Sequence, residues 1–138
     1  MSTLHDFLAI RRAVFLWDTR AAGELGGIHG LGLSDYAAIH HLAESPGYRL
    51  RRVDLAQRLA LTPSGVTRLL NPLERRGIVT REEDGHDARA TYAVLTKGGR
   101  ALFKDANVTM GAFADRLLRS LSDRDRAALA KLADHEMG

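Results

Sequence analysis

The run Thr62-Pro63-Ser64-Gly65-Val66-Thr67-Arg68-Leu69-Leu70 places hydroxyl, small and guanidinium side chains at the start of a helix. Thr62 is an N-cap residue type whose hydroxyl can accept from the free amides of the first turn, and Pro63 follows where a missing N–H costs nothing. Ser64, Gly65, Thr67 and Arg68 fall on the face opposite Val66, Leu69 and Leu70. Such a helix end suits a DNA major groove: small residues let the backbone approach, hydroxyls bond phosphates or base edges, and arginine can fork onto guanine. Arg68 is the first choice for base readout, with a phosphate contact as the alternative. Ser64 and Thr67 are candidates for base-edge or backbone contacts, and Thr62 for a phosphate ligand as well as a cap.

The helix needs a partner to present it, and Leu55-Ala56-Gln57-Arg58-Leu59-Ala60 supplies a short amphipathic segment just before the turn, which makes the pair a helix-turn-helix. Residues 49–81 carry Arg49, Arg51, Arg52, Arg58, Arg68, Arg75, Arg76 and Arg81 against Asp54 and Glu74, a net of +6 in a chain whose whole formal charge is +3. A basic band on an otherwise slightly acidic molecule points to a polyanion on one face. Arg51, Arg75 and Arg81 join the candidate DNA contacts on that ground, with Arg49 and Arg76 behind them; some of the band must instead pair with Asp54 or Glu74 or face water.

Apolar residues from Leu4 to Trp17 recur with a period closer to a helix than a strand, so a first helix of about 25–30 Å is expected from Leu4 to about Ala22. Gly23, Gly26, Gly27, Gly30 and Gly32 are read as a flexible connection. Ser34 is the expected cap of a second helix running to Glu44, stopped by Ser45-Pro46-Gly47. Tyr48 to Arg52 reads as a short extended segment, and Val53 to Ala60 as the first helix of the motif. Pro72 removes the bond to the Arg68 carbonyl, so a kink or broken ladder is expected there, with Leu73 to Arg76 as a last turn and Gly77 as a left-handed stop. Ile78 to Arg81 and Thr91 to Thr96 are strand-like, and with the polar Glu82 to Ala90 between them they form a β-hairpin. Thr96 caps a further long helix, and Ser122-Asp123-Arg124-Asp125 is a capping box opening a final helix to about His135.

The chain is therefore expected to be a single mainly α domain over 1–138, an α+β winged helix-turn-helix of about six helices with a hairpin wing. Residues 34–96 would form the DNA-binding part. The helices in 1–22 and 97–138 have apolar faces left over, which a second copy can bury through a two-fold interface; a monomer folding them onto its own core is the alternative. Cysteine is absent, so there is no disulfide, thiolate metal site or thiol switch. The six histidines lack His-x3-His or His-Glu-x2-His spacing, and no metal or other cofactor is expected. Trp17, Tyr36, His40 and His41 could line a ligand pocket, the plainer reading being core packing. Neither a membrane span nor a signal peptide is evident, which leaves the cytoplasm as the expected location.

Taken in order, Asp54-Leu55-Ala56-Gln57-Arg58-Leu59, Thr62 to Leu70, Leu73-Glu74-Arg75-Arg76-Gly77-Ile78-Val79-Thr80-Arg81, Asp87-Ala88-Arg89-Ala90 and Leu95-Thr96-Lys97-Gly98-Gly99-Arg100 make the chain resemble the MarR family of winged-helix transcription regulators over nearly its whole length. The resemblance implies a homodimer with its recognition helices in consecutive major grooves of a pseudo-palindromic operator. It also implies that Arg89 at the wing tip reaches the minor groove with Asp87 bracing it. Members mostly repress, and many release DNA on binding a small aromatic or phenolic compound. Two departures stand out: the wing has Asp87-Ala88-Arg89 where the family often has consecutive arginines, with Glu82, Glu83 and Asp84 nearby, and Pro72 replaces a polar residue. The competing readings are a winged helix used for protein–protein contact, a transcriptional activator, and an enzyme; no nucleophile elbow, phosphate-binding glycine loop or metal cluster supports the last.

Overall fold

The computed structural model describes residues 2–87 and 90–134. The long first helix, α1, spans Thr3–His29, with the Ser2 hydroxyl accepting from the His5 amide. It passes straight through Gly23, Gly26 and Gly27, which corrects the expected break after Ala22. Glycine in a helix costs only about 1 kcal/mol relative to alanine, and here Ala21 and Leu25 on the same turns are buried and hold the helix in place. The helix ends at Gly30, which adopts the left-handed conformation (φ 64°).

Helix α2 covers Leu33–Ala43 and begins one residue before the expected Ser34 cap. Gly32 is the N-cap, and its amide donates to the Asp35 carboxylate at 2.8 Å. After a 3-10 turn at Pro46–Tyr48 come strand β1 (Arg49–Arg51), helix α3 (Arg52–Arg58) and helix α4 (Pro63–Arg75). Strands β2 (Val79–Glu83) and β3 (Thr91–Leu95) form the hairpin, and β1 adds to its other edge, giving an antiparallel sheet ordered β1-β3-β2. Arg51 thus pairs with Tyr92, and Glu82 with Tyr92 from the other side; β2 runs two residues beyond the expected Arg81, whereas β3 stops one residue short of Thr96, which caps the next helix. Helix α5 spans Lys97–Leu118 and α6 Asp123–Ala130, followed by a 3-10 turn at Lys131–Asp134. The last α-helix is therefore shorter than expected; His135 lies outside the described residues.

α4 does not break at Pro72. The proline lacks the N–H for the Arg68 carbonyl, but the turn beyond it is closed by Arg76 N–H to Pro72 O, Gly77 N–H to Glu74 O and Ile78 N–H to Leu73 O at 2.9–3.1 Å. Leu70 and Leu73, on either side of Pro72, are fully buried, while Pro72 itself faces solvent. Gly77 then takes the left-handed conformation (φ 74°) and stops the run, as its residue type foretold.

The core lies between α2, α3, α4 and the sheet, with Leu25 from α1, Leu31 just beyond its cap and Ala106 from α5 packed into it. Removing the Leu70 side chain to alanine would cost about 2–5 kcal/mol at such a site. The rest of α1 is different: Leu4, Phe7, Leu8 and Phe15 are all more than half exposed. No helix among the described residues is long and apolar enough to cross a membrane.

Candidate nucleic-acid interface

α4 is held on one side and open on the other. Its N-terminus is set by Thr62, whose hydroxyl accepts from the Gly65 amide at 3.1 Å and lies 3.2 Å from the Ser64 hydroxyl. Gly65 sits close to the cap: a Cβ there would come within 3.2 Å of the Thr62 hydroxyl oxygen, which would have to shift by a few tenths of an ångström. Val66, Leu70 and Leu73 anchor the inner face, whereas Thr62, Pro63, Ser64 and Arg68 face solvent. The first turn carries no acidic side chain to offset the positive end of the helix dipole, an arrangement that favours an anion such as a phosphate.

Thr67 is placed differently from its neighbours. Its hydroxyl donates to the Pro63 carbonyl at 3.1 Å and accepts from Arg52 Nη2 at 3.2 Å. Arg52 is buried, 8% exposed, and its other terminal nitrogen donates to Glu74 Oε1 at 3.2 Å. One guanidinium from the start of α3 therefore clasps α4 at its second turn and near its end. Burial, then the neighbouring charge of Arg81, pushes the Arg52 pKa down, and Glu74 opposes that shift. Sequence reasoning counted Arg52 only as part of the basic band. Nothing in its local spacing signalled a clasp, because its partners lie 15 and 22 residues away.

The arginines of the band divide by what they meet. Arg49 pairs with Glu82 at 3.3 Å and sits 3.8 Å over the Tyr92 ring; Arg51 pairs with Asp84 at 3.3 Å. The Tyr92 hydrogen bond is the main cause raising the Arg51 pKa, with Asp84 adding to it. Asp84 also accepts from the His86 amide at 2.9 Å, tying the hairpin turn to β1. Arg76 donates to the Gly30 carbonyl at 3.0 Å. Arg58, Arg68, Arg75 and Arg81 are exposed, and among the described residues none has a carboxylate within ion-pair distance. Asp87 is exposed on the wing, its backbone carbonyl accepting from the Ala90 amide at 3.0 Å, and it borders a hollow of about 220 Å³ with Arg51 and Arg52. Arg89 lies outside the described residues.

The four aromatic positions singled out for a ligand do not converge. Tyr36 stacks with Phe103 of α5 and His40 lies tilted against it, both ring centroids 6.0 Å from that of Phe103, and the Tyr36 hydroxyl donates to Asn107 Oδ1 at 2.7 Å. His41 meets only the edge of His40, at 5.7 Å. Burial raises the Tyr36 pKa, with Glu44 adding to the rise. Trp17 sits apart from this cluster, in a hollow of about 220 Å³ shared with Leu118, Leu121 and the α6 residues Arg126, Leu129 and Ala130. Helical periodicity carries no information about which of two faces α5 will cover, so Phe103 and Asn107 were not foreseeable as partners of Tyr36.

Residues 29–90 match the MarR family model, a segment that runs from the last residue of α1 to the residue before β3. An HTH-type transcriptional repressor of Mycobacterium tuberculosis is 34% identical over 93 residues, covering 67% of this chain and 66% of that protein, so the chain spans about two thirds of the length of this curated relative. The homoprotocatechuate degradative operon repressor of Escherichia coli is 36% identical over 78 residues, 56% of this chain and 51% of that protein. Among solved structures, the Streptomyces coelicolor MarR family regulator AbsC superposes with a TM-score of 0.88 at 25% identity over 98% of this chain and 95% of its own. A second regulator from that organism, Sco3205, crystallised with DNA, superposes with a TM-score of 0.89 at 23% identity over 97% and 86%. The shared segment holds α4 with its cap and the first strand of the wing, and the likeness of shape extends over the flanking helices: this chain belongs to the MarR family.

Proposed function

We propose that the protein is a sequence-specific transcription regulator that binds double-stranded DNA as a homodimer in the cytoplasm and represses a promoter with a pseudo-palindromic operator. The observation that carries this reading is the two-sidedness of α4: a capped, acid-free N-terminus presenting Ser64 and Arg68 outward, clasped from behind by Arg52. Residues 34–96 form the DNA-binding part; the helices within 1–22 and 97–138 form the dimerisation part. The exposed apolar residues Leu4, Phe7, Leu8 and Phe15 of α1 and Leu132 near the C-terminus support the dimer, since a monomer seldom leaves so many large side chains in water. Thr62, Ser64 and Arg68 contact DNA directly, Arg75 and Arg81 contact phosphates, and Asp87 and Arg89 serve the wing.

A small aromatic or phenolic compound is the effector class that suits the stacked Tyr36, His40 and Phe103. The name of the Escherichia coli relative, which refers to a phenolic acid, supports the same class. The experiment that tests the function is fluorescence-anisotropy titration of genomic fragments against bulk competitor DNA. One fragment class should win by about a thousandfold or more at fixed salt, with log affinity falling linearly in log salt. Absence of any preferred fragment at low ionic strength would overturn the assignment and leave a protein–protein module.

A further inference from the structure

We infer that Arg76 is a positioning residue that sets the angle of α4 against α1, and thereby the half-site spacing that the dimer accepts; this rests on the DNA-binding reading above. Arg76 is the residue at which α4 ends, and its side chain turns back to α1 rather than outward: Nη1 donates to the Gly30 carbonyl at 3.0 Å, across 46 residues of chain. Gly30 is the left-handed cap of α1, where its own amide bonds back to the Leu25 carbonyl. The last carbonyls of a helix carry partial negative charge, so a guanidinium there makes a charge-assisted bond. The fit is close, a Cβ on Gly30 falling 3.7 Å from Arg76 Nη2.

Both sides of this contact reach α5. His29 on α1 is 2.7 Å from the Thr109 hydroxyl of α5. Just beyond Arg76, the Thr96 hydroxyl at the start of α5 donates to the Gly77 carbonyl at 2.6 Å, and the Thr96 amide to the Ile78 carbonyl at 3.0 Å. α1 and α5 are thus tied to each other by His29 with Thr109 and by Arg116 with Glu24 at 2.9 Å, and among the described residues Arg76 provides the side-chain hydrogen bond from the end of α4 to the end of α1. The geometry makes this contact a lever. α4 is 13 residues long, about 20 Å, so a tilt of about 10° about its C-terminal end moves the Thr62 end by about 3.5 Å, one base-pair step.

The test uses the purified full chain and operators in which the two half-sites keep their sequence while the spacer gains or loses one or two base pairs. The wild type should prefer one spacing by about tenfold, and Arg76→Gln should flatten that profile to within about threefold with its salt slope unchanged. Arg76→Lys, which keeps the cation, should recover part of the selectivity. A sharp profile in Arg76→Gln, or a salt slope shallower by about one unit per protomer, would make Arg76 a bystander or a phosphate ligand and overturn the inference. Should the wild type itself prefer no fragment, the functional reading falls first, which is a separate result. A second measurement needs no DNA: because the chain has no cysteine, Ser64→Cys carries a single spin label, and the distance between the two labels of a dimer reports recognition-helix separation. The distribution should broaden in Arg76→Gln, and an unchanged width would sink the inference.

Discussion

Arg68 and Arg75 on α4, and Arg49 and Arg51 at the base of the wing, are the same residue type within one short stretch of chain, yet they stand in opposite electrostatic states. The α4 pair has no carboxylate within reach among the described residues, while the wing pair is matched by Glu82 and Asp84 and packed around Tyr92. An exposed ion pair contributes little to stability, about 0–1 kcal/mol, but it determines what a cation is free to do. A phosphate approaching Arg68 meets an open donor. One approaching Arg51 must displace Asp84, which also holds the hairpin turn through the His86 amide. Formal charge therefore overstates the basic band: among the described residues, four of its eight arginines (Arg58, Arg68, Arg75 and Arg81) are without an acid or carbonyl partner.

The strongest way to break this contrast is to break both regions at the turn they share. Gly99 in the first turn of α5 lies against that turn; a side chain there would overlap the Ile78 carbonyl oxygen and come within 2.7 Å of Leu95 Cδ1. Gly99→Val should destabilise the fold by about 3 kcal/mol, seen as a lower urea midpoint, because backbone rather than a movable side chain stands in the way. A midpoint equal to the wild type would mean that the turn yields freely. Next in size is Arg52→Ala, which leaves Glu74 without its partner and the Thr67 hydroxyl without its donor. A loss of about 2 kcal/mol is expected, and DNA affinity should fall with it although Arg52 itself is buried. Affinity that stays constant while stability drops would limit Arg52 to folding.

How much of this was legible before the structure depended on how far apart the interacting groups lie in sequence. The cap at Thr62-Pro63, the stop at Gly77, the two wing strands and the cap at Thr96 all act within a few residues, and each was readable from residue type. The continuation of α1 was not, because clustered glycines signal a break by residue type, whereas of Gly23, Gly26, Gly27, Gly30 and Gly32 only Gly30 has a positive φ. Pro72 was over-weighted in the same manner: local propensity argued for a break, and burial of Leu70 and Leu73 overrode it. The division of the arginines was beyond reach. Arg52 with Glu74, Arg51 with Asp84 and Arg76 with Gly30 span 22, 33 and 46 residues, and only the folded chain brings them together.

Binding measurements sharpen the contrast further. Arg68→Ala should lose about 1–3 kcal/mol of discrimination at one base-pair position, read from a panel of single-substitution operators. A uniform loss over the panel would reassign it to a phosphate. Arg75→Ala should instead weaken all fragments alike and make the salt slope shallower by about one per protomer. Arg51→Ala should change affinity less than either, since its guanidinium is already engaged; a larger effect would reverse the ranking of the two regions. Glu82→Gln tests the same idea from the acid side. It frees Arg49, so affinity should rise severalfold, and each freed arginine that reaches a phosphate should steepen the salt slope by about 0.9. Weaker binding would show that Glu82 serves the wing by shaping it.

The smallest effect comes from the inward side of Arg58, the one acid-free arginine on α3. Burial first, then the charges of His40 and Arg58, hold the His41 pKa below its ordinary 6.5, with Glu44 opposing them. The unfolded chain therefore binds the His41 proton at a higher pH than the folded one does. Stability from neutral His41 is complete above about pH 6.5 and declines as the pH falls through the lowered folded value. His41→Gln should accordingly narrow the gap between urea midpoints measured at about pH 7.5 and about pH 5.5, removing the contribution of one titrating group. His40, 3.5 Å from Glu44, is present in both proteins, so the difference between them isolates His41. Arg58→Gln should reproduce part of the narrowing without touching the histidine. If it leaves the acid-side loss unchanged, burial and His40 depress His41 without help from Arg58, and the unpaired arginines exert their influence outward only.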